Sequence, residues 1–427
     1  MNRSSTSRAP VTRASPPPRP DDGAINVFVA RQPIFDKYRR VFAYELLFRH
    51  SFENACGDVD KTDAARHVLS NAILTFGLDA ITAGKRAFIN MTAETLTSGA
   101  ATLVPPDRAV IEILEDVQPT PAVIAACRQL KKEGFVLALD DFAYYTEVEP
   151  LLELVDIVKV AFRVTPPAER KTLAQRLLPR GIQMLAEQVE TREELDQAIE
   201  YGYSYFQGYF FCRPEVMSRR ELGGSRGTYL KILTSIHQPS LDYLELEQII
   251  KRDVAVSHKL LRYLNSAWFA FRVPITSIRH GLVLLGEDDV RRWASLMALG
   301  GLGRRKPQEL LVTSAVRAHF CEALASRAGL AGREFDLFLL GAFSLMDALL
   351  DQPMTKAAEE IPLPSDVEAA LLDRPSPLRP VLDFAIAYEQ GHWARVDELM
   401  AALGLDSSVT PGLFLDALRW SRDTFGT

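Results

Sequence analysis

Cysteine is scarce in this chain of 427 residues: Cys56, Cys127, Cys212 and Cys321 lie far apart and form no Cys-x-x-Cys pair. That spacing argues against a zinc knuckle or a disulfide framework and fits a reducing compartment. Long apolar runs are missing as well. No stretch reaches the roughly 18 residues that mark a membrane span, and the N-terminal segment lacks the apolar core of a secretory signal, so a cytoplasmic location is expected. Charge of one sign is not in excess either. Lys and Arg number 49 against 55 Asp and Glu, a net charge of -6, which offers neither nucleic acid nor an anionic membrane a favourable overall field. No internal repeat is present. An apolar share of 47% and a charged share of 24% exclude wholesale disorder and a fibrous chain. At roughly 100–200 residues per domain, the length predicts two or three folded domains.

Composition divides the chain. Residues 1–24 hold Pro10, Pro16, Pro17, Pro18 and Pro20 among Ser, Thr and Arg, too little apolar surface to offset ordering entropy, and are expected to form a disordered tail. Residues 25–222 alternate short apolar runs with amphipathic stretches, a pattern that predicts β and α elements in turn. Strands are expected at 26–30, 41–48, 87–91, 109–113, 135–139, 155–160, 182–186 and 204–211. Helices are expected at about 61–76, 119–133, 167–178 and 191–201, the last with Thr191 and Glu194 as a capping box. Eight strands with intervening helices predict a TIM-like (β/α)₈ barrel. Residues 31–40 are too few for a crossover helix, so the first strand pair is expected to be antiparallel. After the joint at Gly223-Gly224-Ser225, residues 223–427 carry helix periodicity and predict an all-α region.

Acids recur at the ends of the expected strands, where a barrel gathers side chains round one mouth. Glu45, Glu112, Asp140, Asp141 and Glu187 lie there, with Asn90, Lys159 and Gln207 completing a ring. Bringing that many carboxyl groups together is costly unless cations neutralise them. An oxygen-rich donor set suits Mg²⁺, Mn²⁺ or Ca²⁺. Two such ions a few ångströms apart can support in-line cleavage of a phosphodiester.

Arg31-Gln32-Pro33-Ile34-Phe35 followed by Tyr44-Glu45-Leu46-Leu47-Phe48-Arg49 resembles the start of an EAL-type cyclic di-GMP phosphodiesterase domain, in the subgroup fused to an HDOD domain. Phe88-Ile89-Asn90, Ile111-Glu112-Ile113-Leu114-Glu115, Asp140-Asp141-Phe142, Asp156-Ile157-Val158-Lys159, Ala186-Glu187-Gln188-Val189-Glu190-Thr191 and Gln207-Gly208-Tyr209-Phe210-Phe211-Cys212-Arg213-Pro214 are similar to the family's later blocks, in order. The resemblance implies metal ligands at Glu45, Asn90, Glu112, Asp140 and Asp141 for two Mg²⁺ or Mn²⁺ ions. It implies catalytic roles for Lys159, which positions the attacking water, and for Glu187 and Gln207, and it makes Arg49 the residue that grips a substrate phosphate.

Two departures carry weight. Where active relatives continue Phe-Gly-Thr-Gly after the paired aspartates, this chain reads Phe142-Ala143-Tyr144-Tyr145-Thr146, without the glycines that permit a positive φ. Val160-Ala161 replaces the Ile-Asp that usually follows the lysine. Binding of cyclic di-GMP with weak or no turnover is therefore expected. An active phosphodiesterase and a scaffold without nucleotide are the alternatives.

Residues 225–305 resemble the HDOD domain through Asp253, Leu260-Leu261, Asn265-Ser266-Ala267, Ser277-Ile278 and Leu285-Gly286. Its hydrolytic relatives need a His-Asp pair, and none of the seven histidines is followed by Asp. An output module that binds a protein partner is expected here, with a homodimer as one form of assembly and with neither membrane nor nucleic acid as partner. Arg291-Arg292 and Arg304-Arg305-Lys306 are basic clusters expected on a solvated face. Tyr388-Glu389-x-Gly391-x-Trp393 carries no chemistry legible in the sequence, and Trp393 and Trp420 are expected to pack.

Overall fold

The computed structural model describes residues 27–50, 77–142, 148–209, 225–236, 238, 240–252, 254–264, 275, 277–302, 306–359, 361 and 363–425. The expected tail at 1–24, the helix at 61–76, the loop from Ala143 to Thr146, the block from Phe210 to Pro214, Gly223 and Gly224, Asp253, Asn265 to Ala267, and Arg304 and Arg305 lie outside the described residues.

Eight strands close a barrel in sequence order. They are β1 (Val27–Asp36), β2 (Val41–His50), β3 (Arg86–Met91), β4 (Ala109–Ile113), β5 (Val136–Leu139), β6 (Ile157–Ala161), β7 (Gln183–Glu187) and β8 (Tyr205–Gln207). β1 runs antiparallel to both β2 and β8, and the remaining neighbours are parallel. β1 is longer than its composition suggested. Arg31, Gln32 and Pro33 break the apolar pattern, yet each is paired with β2, Gln32 opposite Glu45. The turn that follows is closed by Asp36, whose Oδ1 accepts from the amides of Tyr38 and Arg40 at 2.8 and 3.0 Å.

Side chains alternate across a strand with period two, and this spacing builds the site. Ile34, Ala43, Phe88, Val110, Ala138, Ile157 and Leu185 form one buried apolar layer inside the barrel. Two positions nearer the mouth on the same strands lie Gln32, Glu45, Asn90, Glu112, Asp140, Lys159 and Glu187. On β8 the step runs from Tyr205, packed against the apolar layer, to Gln207. β1 runs the other way, so its mouth residue precedes Ile34 in sequence. Helices cover the outside. Thr120 caps Pro121–Lys132, and Thr191 with Glu194 forms the expected capping box of Arg192–Tyr201.

From Ser225 onward all described elements are helices. Ile278–Leu285 ends at Gly286, whose φ of 79 suits a glycine. Helix Gln308–Leu324 is the core of this region. Its Phe320 packs against Phe384, Tyr388 and Phe414 at ring separations of 6.1, 5.3 and 5.3 Å. The Arg291-Arg292 cluster is neutralised rather than free, because Arg291 pairs with Glu287 and Arg292 with Asp289 and Glu322. Trp420 is buried. Among the described residues no helix is long and apolar enough to cross a membrane.

The helical region sits directly on the β1–β2 hairpin. Tyr44 donates its hydroxyl to Glu309 Oε2 at 2.9 Å, and the Arg31 guanidinium lies 4.2 Å from the centre of the Tyr44 ring. Phe28 meets Tyr388 and Trp393.

Candidate metal centre

The polar layer converges on one ammonium group. Lys159 Nζ is fully buried and reaches Asp140 Oδ1 and Glu187 Oε1 at 2.8 Å each and Glu45 Oε2 at 3.6 Å; it also bonds Glu112 Oε1. Four carboxyl groups thus share one cation. Strand ends hold them in place: the Asp140 amide donates to the Ile113 carbonyl at 2.9 Å, the Phe142 amide to Lys159 at 3.0 Å and the Phe162 amide to Glu187 at 3.0 Å. Gly208, at φ 142, lets β8 approach so closely that a Cβ there would sit 2.2 Å from the Val189 carbonyl oxygen. This fixes the height of Gln207.

Charge in the ring is poorly balanced. Burial raises the Glu112 carboxyl well above the usual carboxylate range, and the charges of Glu45, Asp140 and Glu187 add to this, against the pull of Lys159. Burial likewise pushes Glu187 up to about 8, opposed by Lys159 and reinforced by Asp140 and Glu45. Burial works against the Lys159 ammonium, but the carboxylates around it outweigh that and hold its proton more tightly than usual. Asp141 is raised by burial and by the adjacent Asp140.

The donor set fits a divalent cation. Glu112 Oε2, Glu187 Oε2, Asn90 Oδ1 and Gln207 Oε1 are buried oxygens without a hydrogen-bond partner, and such atoms need a compensating donor or ion. Single oxygens of Glu45, Glu112 and Glu187 lie within 4.8 Å of one another, and so do those of Asp140, Asp141 and Glu187. Glu187 belongs to both groups, as two neighbouring cation positions require. Carboxylate and amide oxygens of this kind suit Mg²⁺, Mn²⁺ or Ca²⁺.

Of the residues singled out in the sequence, Glu45, Asn90, Glu112, Asp140, Asp141, Lys159, Glu187 and Gln207 come together. Arg49 does not join them. Its guanidinium pairs with Asp397 at 2.6 Å and donates to the Trp393 carbonyl at 3.0 Å. Gln32 was missed. Its Oε1 accepts from Gln207 Nε2 at 3.0 Å, inside the ring. The signal is the period-two step back from Ile34 along an antiparallel β1, but the strand expected at 26–30 ends before Gln32, whereas β1 runs to Asp36. Cys127 and Cys321 are buried and free; burial pushes their thiols up to about 11 and about 12, so neither is a thiolate at neutral pH.

A cation held in the ring would compete with a proton for Glu187. Its carboxyl binds a proton more tightly folded than unfolded, so its contribution to stability is full below pH ~4.5 and is lost as pH rises through about 8. Mn²⁺ should therefore bind more tightly at pH 9 than at pH 7, with protons released on binding at pH 7. Calorimetry in buffers of different ionisation enthalpy reads both, and a pH-independent affinity without proton release would remove Glu187 from the cation site.

Comparison with known proteins matches residues 29–214 to the EAL domain and residues 225–345 to the HDOD domain. The chain is 36% identical over 404 residues to the uncharacterized protein YuxH of Bacillus subtilis, covering 93% of this chain and 98% of that one. It is 34% identical over 406 residues to the cyclic di-GMP phosphodiesterase CdgJ of Vibrio cholerae, covering 94% of each. Among solved structures, Klebsiella pneumoniae BlrP1 in a complex with calcium and cyclic di-GMP is 24% identical, with a TM-score of 0.37, over 44% of this chain and 56% of that one.

Proposed function

Because the chain belongs to the family that joins an EAL domain to an HDOD domain, we propose that its barrel mouth binds cyclic di-GMP together with Mg²⁺ or Mn²⁺, turns it over weakly, and passes the bound state to the helical region as output. The unpaired buried oxygens of Asn90, Glu112 and Glu187 carry this reading, since bound cations would satisfy them. Glu45, Asn90, Glu112, Asp140 and Asp141 would hold the ions, with Glu187 between the two positions. Bound divalent ions supply Lewis-acid activation of water and neutralise charge at a phosphodiester. Lys159 Nζ, already in contact with Asp140 and Glu187, orients the attacking water. Arg49 lies four residues beyond Glu45 on β2 and takes a phosphate of the dinucleotide.

Weak turnover follows from the segment after the aspartates. Phe142-Ala143-Tyr144-Tyr145-Thr146 lacks the two glycines of active relatives, which permit a positive φ beside Asp141, itself at φ 37. The helical region, without a His-Asp pair, serves as an interaction module for a protein partner.

A second reading, an active phosphodiesterase, is favoured by the completeness of the ring and by similarity to CdgJ along 94% of both chains. Product analysis of purified full-length protein with cyclic di-GMP and Mn²⁺ separates the two. The expected result is stoichiometric binding with linear dinucleotide appearing slowly. Rapid conversion would replace the first reading with the second, and absence of both binding and product would leave only a scaffold.

A further inference from the structure

The turn between helices Arg379–Glu389 and Trp393–Leu403 contains the Tyr388–Trp393 motif that the functional reading leaves unused. It lies on the barrel rather than in solvent. Gln390 offers its carbonyl oxygen to Gln32 Nε2 at 3.0 Å. Gly391, at φ 67, lies so near β2 that a Cβ would meet Leu47 Cδ1 at 2.6 Å. Trp393 offers its carbonyl oxygen to Arg49.

The contact at Gln32 has a directional consequence. A carbonyl oxygen only accepts, so Gln32 presents its NH₂ to Gln390 and its Oε1 to the ring. That oxygen also only accepts, so Gln207 presents its own NH₂, which donates to Gln32 at 3.0 Å and to Glu45 Oε2 at 2.6 Å. Gln207 Oε1 is thereby turned away, buried and unpaired. A backbone carbonyl of the helical region at one end and the Glu45 carboxylate at the other thus fix two side-chain amides between them, and Gln207 joins Asn90 Nδ2 and Lys159 Nζ in holding that carboxylate.

We propose that Gln32 is a positioning residue of the metal centre, and that the 389–393 turn sets it through this relay. The inference rests on the reading of the ring as a cation site. It makes the seating of the helical region on the barrel a determinant of cation affinity. With the turn displaced, the Gln32 amide loses its directing acceptor, and Gln207 is free to turn its own oxygen toward Glu45, where two acceptors face each other and the carboxylate moves out of register. Partners that orient a metal ligand from outside the first layer typically contribute about 10–100-fold in affinity.

The test uses the full chain and two measurements. The first is Mn²⁺ titration. Gln32→Leu and Gly391→Ala should each weaken Mn²⁺ binding about tenfold or more, the second without touching any residue of the ring. Leu47→Ala added to Gly391→Ala removes the clashing methyl and should restore most of the loss. Gly404→Ala is the control: it has a similar φ of 62 but meets nothing within 4 Å, so it carries the backbone strain without the collision and should leave affinity within about twofold of the parent. Mn²⁺ affinity unchanged in Gly391→Ala, or in Gln32→Leu, would overturn the proposal. The second measurement is the side-chain NH₂ spectrum of glutamine-labelled protein. Gly391→Ala should shift the Gln207 signals, and signals identical to those of the parent would also overturn the relay. A parent that binds no Mn²⁺ while Gly391→Ala still shifts the Gln207 signals would sink the cation reading of the ring and leave the relay standing.

Discussion

Replacing Lys159 with Met should destabilise the metal-free protein by about 3–5 kcal/mol, the usual consequence of removing one partner from a buried ionic cluster. Among the described residues Lys159 is the only cation that touches Glu45, Glu112, Asp140 and Glu187, and it is fully buried. The loss should grow with pH. Burial raises the carboxyls of Glu112 and Glu187, and Lys159 pulls both down; without it both are held higher still, so the cost appears as rising pH strips their protons with no cation to face the charge. Mn²⁺ at about 100 times the dissociation constant should return about 2.7 kcal/mol to either protein, and at one fixed Mn²⁺ concentration the variant gains more than the parent only as far as it binds the ion more tightly. Thermal unfolding of parent and variant at pH 6 and pH 9, with and without Mn²⁺, reads all of this. Equal unfolding temperatures in the metal-free state would mean that the carboxyl groups are not held as a charged cluster.

Arg49→Ala should lower affinity for cyclic di-GMP by about tenfold to a hundredfold, the equivalent of about 1.5–3 kcal/mol for a hydrogen bond to a charged group. Asp397 holds this arginine at 2.6 Å, but the two side chains are 25% and 55% exposed. A pair so open to water contributes about 0–1 kcal/mol. A phosphate is therefore expected to displace Asp397, and Asp397→Asn should raise nucleotide affinity by no more than about fivefold. Titration of the three proteins with nucleotide in the presence of Ca²⁺ gives the comparison. An unchanged Arg49→Ala variant would remove Arg49 from the substrate site, and a hundredfold gain in Asp397→Asn would show that the pair is a lock.

Most of the site was legible before any coordinates, for a simple reason. Strand side chains alternate, and a closed parallel barrel collects the residues two steps beyond its apolar layer. An acid two positions after a buried Ala43, Val110 or Leu185 is thus an acid at the mouth, whatever the exact strand limits. The antiparallel opening pair followed from loop length alone, and the capping box at Thr191 from local chemistry. Interactions within a few residues of sequence, or imposed by a fixed period, are encoded where they act.

The tertiary structure decided what depends on direction and on distant partners. Gln32 enters the ring because β1 continues past residue 30 through Arg31, Gln32 and Pro33, paired along its length with β2, although those residues carry no strand-like apolar pattern. Arg49 meets Asp397, 348 residues away, and Gln32 meets the carbonyl of Gln390, 358 residues away. Neither partner has a spacing or composition that marks it, because a backbone carbonyl is present in every residue and a surface aspartate in every helical domain. By itself the sequence determined which residues form the acidic ring. Packing of the C-terminal helices on the hairpin determined which partners Gln32 and Arg49 meet, since such a bond is a property of the docked geometry and not of either segment alone.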